Sequence, residues 1–291
     1  MDIRAATDAE RAVATERVFR EGPAAGEFLR LIASGDVDAA DLLVAVDATG
    51  VCGGMVAQPL PGHLGVVAPP SADDPAIADA LVLAAIAHLE KNHVRLVQAY
   101  LDADADPVAL EHGGFRFVTR IEHRRLASIK SGGTASPCGI GQGDAVPPLS
   151  GIVFDKAFDP ALFAATLVAT HEGSLDAPEA NIGATAEEID SGYAATCERW
   201  LAVEDEQPVG VLILSKTMTT GEIEYFGVVP AARGRGVGAA ILHHAMDSFR
   251  NRGLTNVSVA VDERNIPARK LYDRLGFQPF RVENLWLRKL A

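Results

Sequence analysis

The sequence predicts two related α/β (α+β) domains in tandem, each a mixed, mainly antiparallel sheet flanked by helices. Three observations carry this. The chain has 291 residues, about twice a common single-domain length. Landmarks recur at one spacing: Gly65-Val66-Val67 and Gly227-Val228-Val229, like Gly114-Phe115 and Gly276-Phe277, lie 162 residues apart, which marks an internal repeat. Between these landmarks the apolar period switches from about 3.6 residues to two, so each half holds a helix and then a strand.

In the first half, Leu42 to Val46 and Met55 to Ala57 are strand-like runs. A helical stripe follows at Val82, Ala85, Ile86 and Leu89, then a strand over Leu96 to Leu101. Periodicity vanishes between Leu126 and Gly151, where Ser, Gly and Pro crowd together; such a stretch is a linker. The boundaries are therefore 1–127 for the first domain, 128–150 for the linker and 151–291 for the second domain. That second domain opens with a helix over Asp159 to Thr170. Arg199 to Val203 and Val209 to Leu214 form a hairpin around the turn residues 204–208, and Glu222 to Val229 is a third strand. A stripe at Leu242, Ala245, Met246 and Phe249 and a strand over Val257 to Val261 complete the plan.

Composition narrows the function. Apolar residues make up 48% and the net charge is −13, with both halves negative. Nucleic acid and an anionic membrane surface are disfavoured partners on that balance, and a cationic one fits better. Cys52, Cys138 and Cys197 are odd in number and far apart, so neither a disulfide framework nor a zinc site is expected. His243 and His244 are adjacent on a helix and diverge, which argues against a metal pair. Met1 to Asp8 lacks an apolar stretch behind a basic start, and the longest apolar run, Ala80 to Ala87, is too short to span a bilayer. A cytoplasmic protein is expected; pairing into a homodimer stays open.

The densest chemical signal is Val228-Val229-Pro230-Ala231-Ala232-Arg233-Gly234-Arg235-Gly236-Val237-Gly238, which runs from strand through loop into helix. Three glycines in five residues let the backbone approach a ligand, and free N–H groups at a helix start favour an anion. Arg233 and Arg235 add positive charge, so a phosphate or pyrophosphate cradle is predicted. Gly234-x-Gly236-x-x-Ala239 also fits a dinucleotide fingerprint, with Asp262 placed where a ribose-binding acid would sit. Against that, Pro230 to Arg233 separates the strand from the first glycine, and the strand belongs to a meander.

The following stretch, Asn265-Ile266-Pro267-Ala268-Arg269-Lys270-Leu271-Tyr272-Asp273-Arg274-Leu275-Gly276-Phe277, taken with Arg233-x-x-Gly236-x-Gly238, resembles the two best-marked motifs of the GNAT family of acetyl-CoA-dependent N-acyltransferases. The resemblance covers the second half and, weakly, the first. It implies that the loop amides of Arg233, Gly234, Arg235, Gly236, Val237 and Gly238 hold the pyrophosphate of acetyl-CoA. Backbone groups of Val228 and Val229 would bond pantetheine and polarise the thioester carbonyl. Asn265 would touch the cofactor arm, while also capping a helix ahead of Pro267. Tyr272 would protonate the leaving thiolate, and Glu222 would serve as base or water-holder. Glu224 lies two residues on and therefore on the same sheet face. No metal is required.

The implied activity is acetyl transfer to a primary amine, on a small molecule or a peptide. A non-catalytic acyl-CoA sensor is the alternative, and a nucleotide-dependent oxidoreductase a more distant one. His171, Glu172, Glu187, Glu188, Asp190, Tyr193 and Trp200 lie where an acceptor pocket could form, although a solvated helix face explains the acids equally well. At the 162-residue offset, the first half carries Leu60, Gly62, Ala103 and Leu110 in place of Glu222, Glu224, Asn265 and Tyr272. Its loop, Ala68 to Pro75, has prolines and Asp73-Asp74 in place of glycines, so a degenerate half without a cofactor loop is expected.

Overall fold

A computed structural model describes residues 1–19, 23–127, 151–180, 185–217 and 219–290. The linker stretch 128–150, with Cys138, lies outside the described residues. In chain order the elements are β1 (Asp2–Ala5), α1 (Arg11–Phe19), α2 (Pro23–Ser34), β2 (Leu42–Asp47), β3 (Gly50–Leu60), β4 (Leu64–Val67), β5 (Ser71–Ala72), α3 (Pro75–Lys91), β6 (Leu96–Asp102), α4 (Val108–His112) and β7 (Arg116–Leu126). There follow β8 (Ile152–Asp155), α5 (Pro160–His171), α6 (Ala186–Ser191), β9 (Glu198–Glu204), β10 (Gln207–Lys216), β11 (Thr220–Val228), α7 (Val237–Arg250), β12 (Asn256–Asp262), α8 (Ile266–Arg274) and β13 (Gln278–Lys289).

These form two compact units. One is Met1–Val118 with Glu283–Ala291, and the other is Thr119–Val282. The repeat alone draws the boundary in the stretch after Leu126. In the folded chain, residues 121–126 instead pair with β12 of the second unit, and residues 283–289 pair with β6 of the first. The last strand of each half of the sequence is thus largely housed in the other unit.

In the second unit, β8, β9, β10 and β11 run as an antiparallel meander, β12 joins β11 in parallel, and β7 closes antiparallel on β12. The β9–β10 turn uses only Asp205 and Glu206, both at positive φ (+49° and +63°). That is the backbone twist a two-residue hairpin needs. Two helices of this unit start at the caps their sequence predicts. Asp159 caps α5 through Ala161 and Leu162 N–H, and Asn265 caps α8 through Ala268 N–H, each with a proline in the first turn.

The sheet buries both faces. Leu242, Ala245, Met246 and Phe249 of α7 pack on one with Leu212, Val257 and Phe277, while Phe163 and Leu167 of α5 pack on the other with Val211 and Ile213. Among the described residues no helix is long and apolar enough to cross a membrane. Phe277 is fully buried, so Phe277→Ala should cost the second unit about 3–5 kcal/mol. A urea titration followed by near-ultraviolet circular dichroism checks this.

Candidate active site

β11 and β12 pair only over Thr220–Ile223 with Asn256–Val259, yet β11 continues to Val228 and β12 to Asp262. Past Ile223 the two strands part. The gap opens beside backbone groups that a continued ladder would have satisfied. Val229 N–H donates to Val209 C=O at 3.0 Å, and antiparallel backbone groups alternate in direction. Those of Phe226 and Val228 therefore point away from β10 and into the gap. Val229 does not face it, because its N–H is on Val209 and its carbonyl accepts from Ala232 N–H at 2.9 Å. Phe226, not Val229, is the companion of Val228, a difference of one residue that alternation makes decisive.

Opposite Leu214 the ladder shifts, with Ile213 facing Tyr225 and Leu214 facing Ile223, so Glu224 is the extra residue of a bulge. Gly221 and Ile223 face Phe249 and the α7 core. Glu222 and Glu224 lie together on the α5 face, as their spacing predicts, and the bulge adds Tyr225 to them. The Tyr225 hydroxyl and Thr170 Oγ1 on α5 are hydrogen-bonded at 2.8 Å. At Gly227 a Cβ would come within 2.4 Å of the Thr170 side chain, so only glycine lets the strand meet the end of α5.

The glycine loop is an anion cradle made of backbone. Gly236 caps α7 at φ +92° with no side-chain hydrogen bond to the helix start. Among the described residues, the amides of Gly234, Arg235, Gly236, Val237 and Gly238 donate to no protein acceptor. Open space surrounds Gly234. Free N–H groups at the positive end of a helix dipole favour a phosphate.

The arginines do something other than expected. Arg233 donates to the carbonyls of Val228 (3.0 Å), Thr170 (2.9 Å) and Gly173 (3.3 Å), clasping β11 to the C-terminal end of α5. Arg235 pairs with Glu204 at 2.7 Å. Their loop position does not show that carbonyls and a hairpin carboxylate lie closer than the cradle. The cation without a hydrogen bond or ion pair among the described residues of the cavity wall is Arg274, which the motif does not single out.

Cradle and gap open into one cavity of about 560 Å³. Val228, Arg233, Gly234, Gly236, Gly238, Asn265 and Tyr272 line it; Val229, Arg235, Glu222 and Glu224 do not. Val237 has its side chain in the core, which leaves only its amide for the cradle. Tyr272 is 3% exposed, edge-on to Phe226 and packed on Phe277. Among the described residues its hydroxyl has no hydrogen-bond partner. Burial first, and then the charge of Asp176, hold its pKa well above 10, so the phenol stays protonated.

Glu222 is half-buried beside the last paired residues before the gap, opposite Ser258. Burial, and next the charge of Glu224, raise its pKa above the usual carboxylate value, opposed by His123 and a hydrogen bond with Ser258. Glu224 is exposed and accepts from Ser215 Oγ. Two further acids escape the motif reading. Asp176 lines the cavity from the loop after α5. Asp262 is fully buried and accepts from Thr119 Oγ1, Ala177 N–H and Arg264. With those partners it is not free to bind a ribose, which removes the main support for a dinucleotide site. Among the described residues no group of three or more His, Cys, Asp or Glu is placed to hold a metal.

A parted parallel pair, a helix-capped amide cradle at its mouth and a buried tyrosine on the next helix make up one site. The acetyltransferase (GNAT) family model matches residues 169–277, the stretch that contains all three. Mycothiol acetyltransferase of Beutenbergia cavernae is 40% identical over 88 residues, which are 28% of this chain and 29% of that protein. The enzyme of the same name from Rhodococcus erythropolis is 40% identical over 70 residues, 24% and 23% of the two chains. The matched stretches thus span less than a third of these curated relatives.

Among solved structures, a GCN5-related N-acetyltransferase from Sphaerobacter thermophilus superimposes with a TM-score of 0.64 at 20% identity, over 99% of this chain and 95% of that one. A tandem GNAT protein from the clavulanic acid biosynthesis pathway gives 0.60 at 18%, over 99% and 98%. At such identities these two show the fold. The second half of the chain carries a domain of the GNAT acetyltransferase family.

The amide cradle predicts its own failure mode. Gly236→Asp puts a side chain at a left-handed position and a carboxylate against the anion. It should abolish acetyl-CoA binding in calorimetry while leaving the circular dichroism of the protein unchanged.

Proposed function

We propose that the second unit transfers an acyl group, acetyl in the first place, from acetyl-CoA to a primary amine by direct attack. The carrying observation is the meeting, in one cavity, of five loop amides, the Phe226 peptide group and Val228 N–H on the open edge of β11, and a Tyr272 hydroxyl without a hydrogen-bond partner among the described residues. Relatives named mycothiol acetyltransferases agree with the class of reaction. The acceptor is not carried over from them.

In this reading the amides of residues 234–238 hold the pyrophosphate, and the exposed edge of β11 receives pantetheine much as a sheet edge receives a strand. A peptide N–H of Phe226 or Val228 polarises the thioester carbonyl, where negative charge grows as the amine attacks. Glu222, directly or through a water, takes the proton lost by the amine. Tyr272 gives its proton to the sulfur as the carbon–sulfur bond breaks. Asn265 orients the start of α8 and, with it, the phenol.

In this reading the described residues of the first unit form no counterpart of that site. β4 pairs with β6 along its whole length, and Asp74 caps α3 with its own carboxylate through Ala76 N–H. One acetyl-CoA per chain is therefore the expected stoichiometry in isothermal calorimetry, and a second site would overturn the assignment of roles to the halves. Tyr272→Phe should lower kcat about a hundredfold and leave acetyl-CoA affinity within about twofold. An unchanged kcat would leave a binding protein rather than an enzyme.

The base makes a pH prediction. Glu222 must be ionised to act and its pKa is raised, so the acid limb of kcat/KM should lie above the ordinary glutamate value of 4.5. Glu224→Gln removes a like charge, eases ionisation of Glu222 and should move that limb to lower pH. A limb that stays in place would exclude Glu222 as the group observed.

A further inference from the structure

The carboxylate of Asp176 has no role in the chemistry above, yet it is fixed with care. It accepts the Asp262 backbone N–H on Oδ1 at 2.7 Å. The neighbouring Ala177 N–H returns a bond to Asp262 Oδ2 at 3.0 Å. Glu179, three residues on, holds Arg264 through both oxygens at 2.8 Å, and Arg264 in turn holds Asp262. The loop after α5 is thereby locked against the end of β12, and Asp176 has one position.

That position is in the wall of the cavity that also contains Tyr225 and Tyr272. Its negative charge reaches the phenols of Tyr193, Tyr225 and Tyr272. Among the described residues Oδ2 has no hydrogen-bond partner. The cation acting on Asp176, Arg264, is already spent on Asp262 and Glu179. A carboxylate partly drawn out of water without its own counter-ion is costly. Burial accordingly raises the Asp176 pKa above its usual value, an effect that a paired cation reverses. Such a carboxylate is tolerated where a cationic ligand completes the pair, and aromatic rings next to it favour the same kind of ligand.

We infer that Asp176 is a specificity-determining residue, which holds the ammonium group of the acceptor in the cavity beside Tyr272 and selects cationic amines over neutral nucleophiles. This deepens the acyltransferase reading and rests on it. The carboxylate works as an anchor, and proton removal stays with Glu222. The arrangement also divides the cavity by charge: the amide cradle takes the anionic end of acetyl-CoA, and Asp176 takes the cationic acceptor.

Asp176→Asn tests this, because the amide oxygen still accepts from Asp262 N–H while the charge is lost. Saturation-transfer NMR titrations of the protein without added cofactor, with ethylammonium and with ethanol as its neutral counterpart, report the anchor without knowledge of the natural acceptor. The wild type should bind ethylammonium at least tenfold more tightly than ethanol, and the variant should lose that preference. Acetyl-CoA affinity should stay within twofold. With the best acceptor from an amine panel, KM should rise at least tenfold with little change in kcat. Wild-type protein that does not prefer ethylammonium, or a variant with the preference intact, overturns the inference. A fall in kcat at constant KM overturns it as well, by making Asp176 a base. Failure of wild-type protein to bind acetyl-CoA sinks instead the acyltransferase reading, since the ethylammonium arm reports separately.

Discussion

Past Ile223, among the described residues, the strand that carries Phe226 and Val228 has no strand partner on one side, although its other edge is paired with β10 apart from the bulge at Glu224. A buried peptide group left without a partner costs about 1–3 kcal/mol. The remainder of the second unit can be read as the means of keeping that edge open. Pantetheine, with two amides on a thin chain, is the sort of ligand that such an edge completes. Hydrogen bonding that folding leaves unfinished becomes affinity when the ligand arrives.

Keeping the strands apart takes work on both sides. On the β11 side, Arg233 ties the Val228 carbonyl to two carbonyls at the end of α5, where the helix dipole welcomes a cation. Tyr225 adds its bond to Thr170. On the β12 side, Asp262 gathers Thr119, Ala177 and Arg264, while Glu263 N–H bonds Arg120 C=O at 2.9 Å. Arg124 on β7 reaches the α8 residue Asp273 at 2.6 Å, which steadies the helix that carries Tyr272. These contacts span positions up to 149 residues apart, so the helix that carries Tyr272 depends on a strand from the first half of the sequence.

How much of this was legible follows the range of the interactions. The hairpin, the glycine cradle, the caps at Asp159 and Asn265, and the place of Tyr272 are all set within a dozen residues, and spacing reveals them. Glu222 and Glu224 also share a face as alternation predicts. The bulge at Glu224 is different, because it depends on how β10 and β11 align. The same holds for Arg233, whose motif position suggested phosphate while its guanidinium found carbonyls 60 residues away. Asp176 was missed for want of any local pattern: a single aspartate in an irregular loop acquires meaning only when the end of β12 bonds to it. The exchange of terminal strands was invisible for a related reason, since a repeat fixes which strands exist and not which sheet each one enters.

The two units show how small the difference between a site and a filler is. In the first, Leu64 to Val67 pair with Leu96 to Ala99 without interruption. In the second, the positions 162 residues later, beginning at Phe226, are those that leave the ladder. β4 ends where its pairing ends, whereas β11 runs on for five residues past its last paired residue. Asp74 then occupies the start of α3 with a carboxylate, at the end of a helix where α7 offers bare amides to a phosphate. A side-chain anion built into the chain satisfies the dipole permanently, and a ladder run to its end satisfies the strand. With both demands met internally, the first unit retains the architecture with the start of α3 already capped and β4 already paired. The second unit keeps both demands open, and that incompleteness is what a bound ligand can complete.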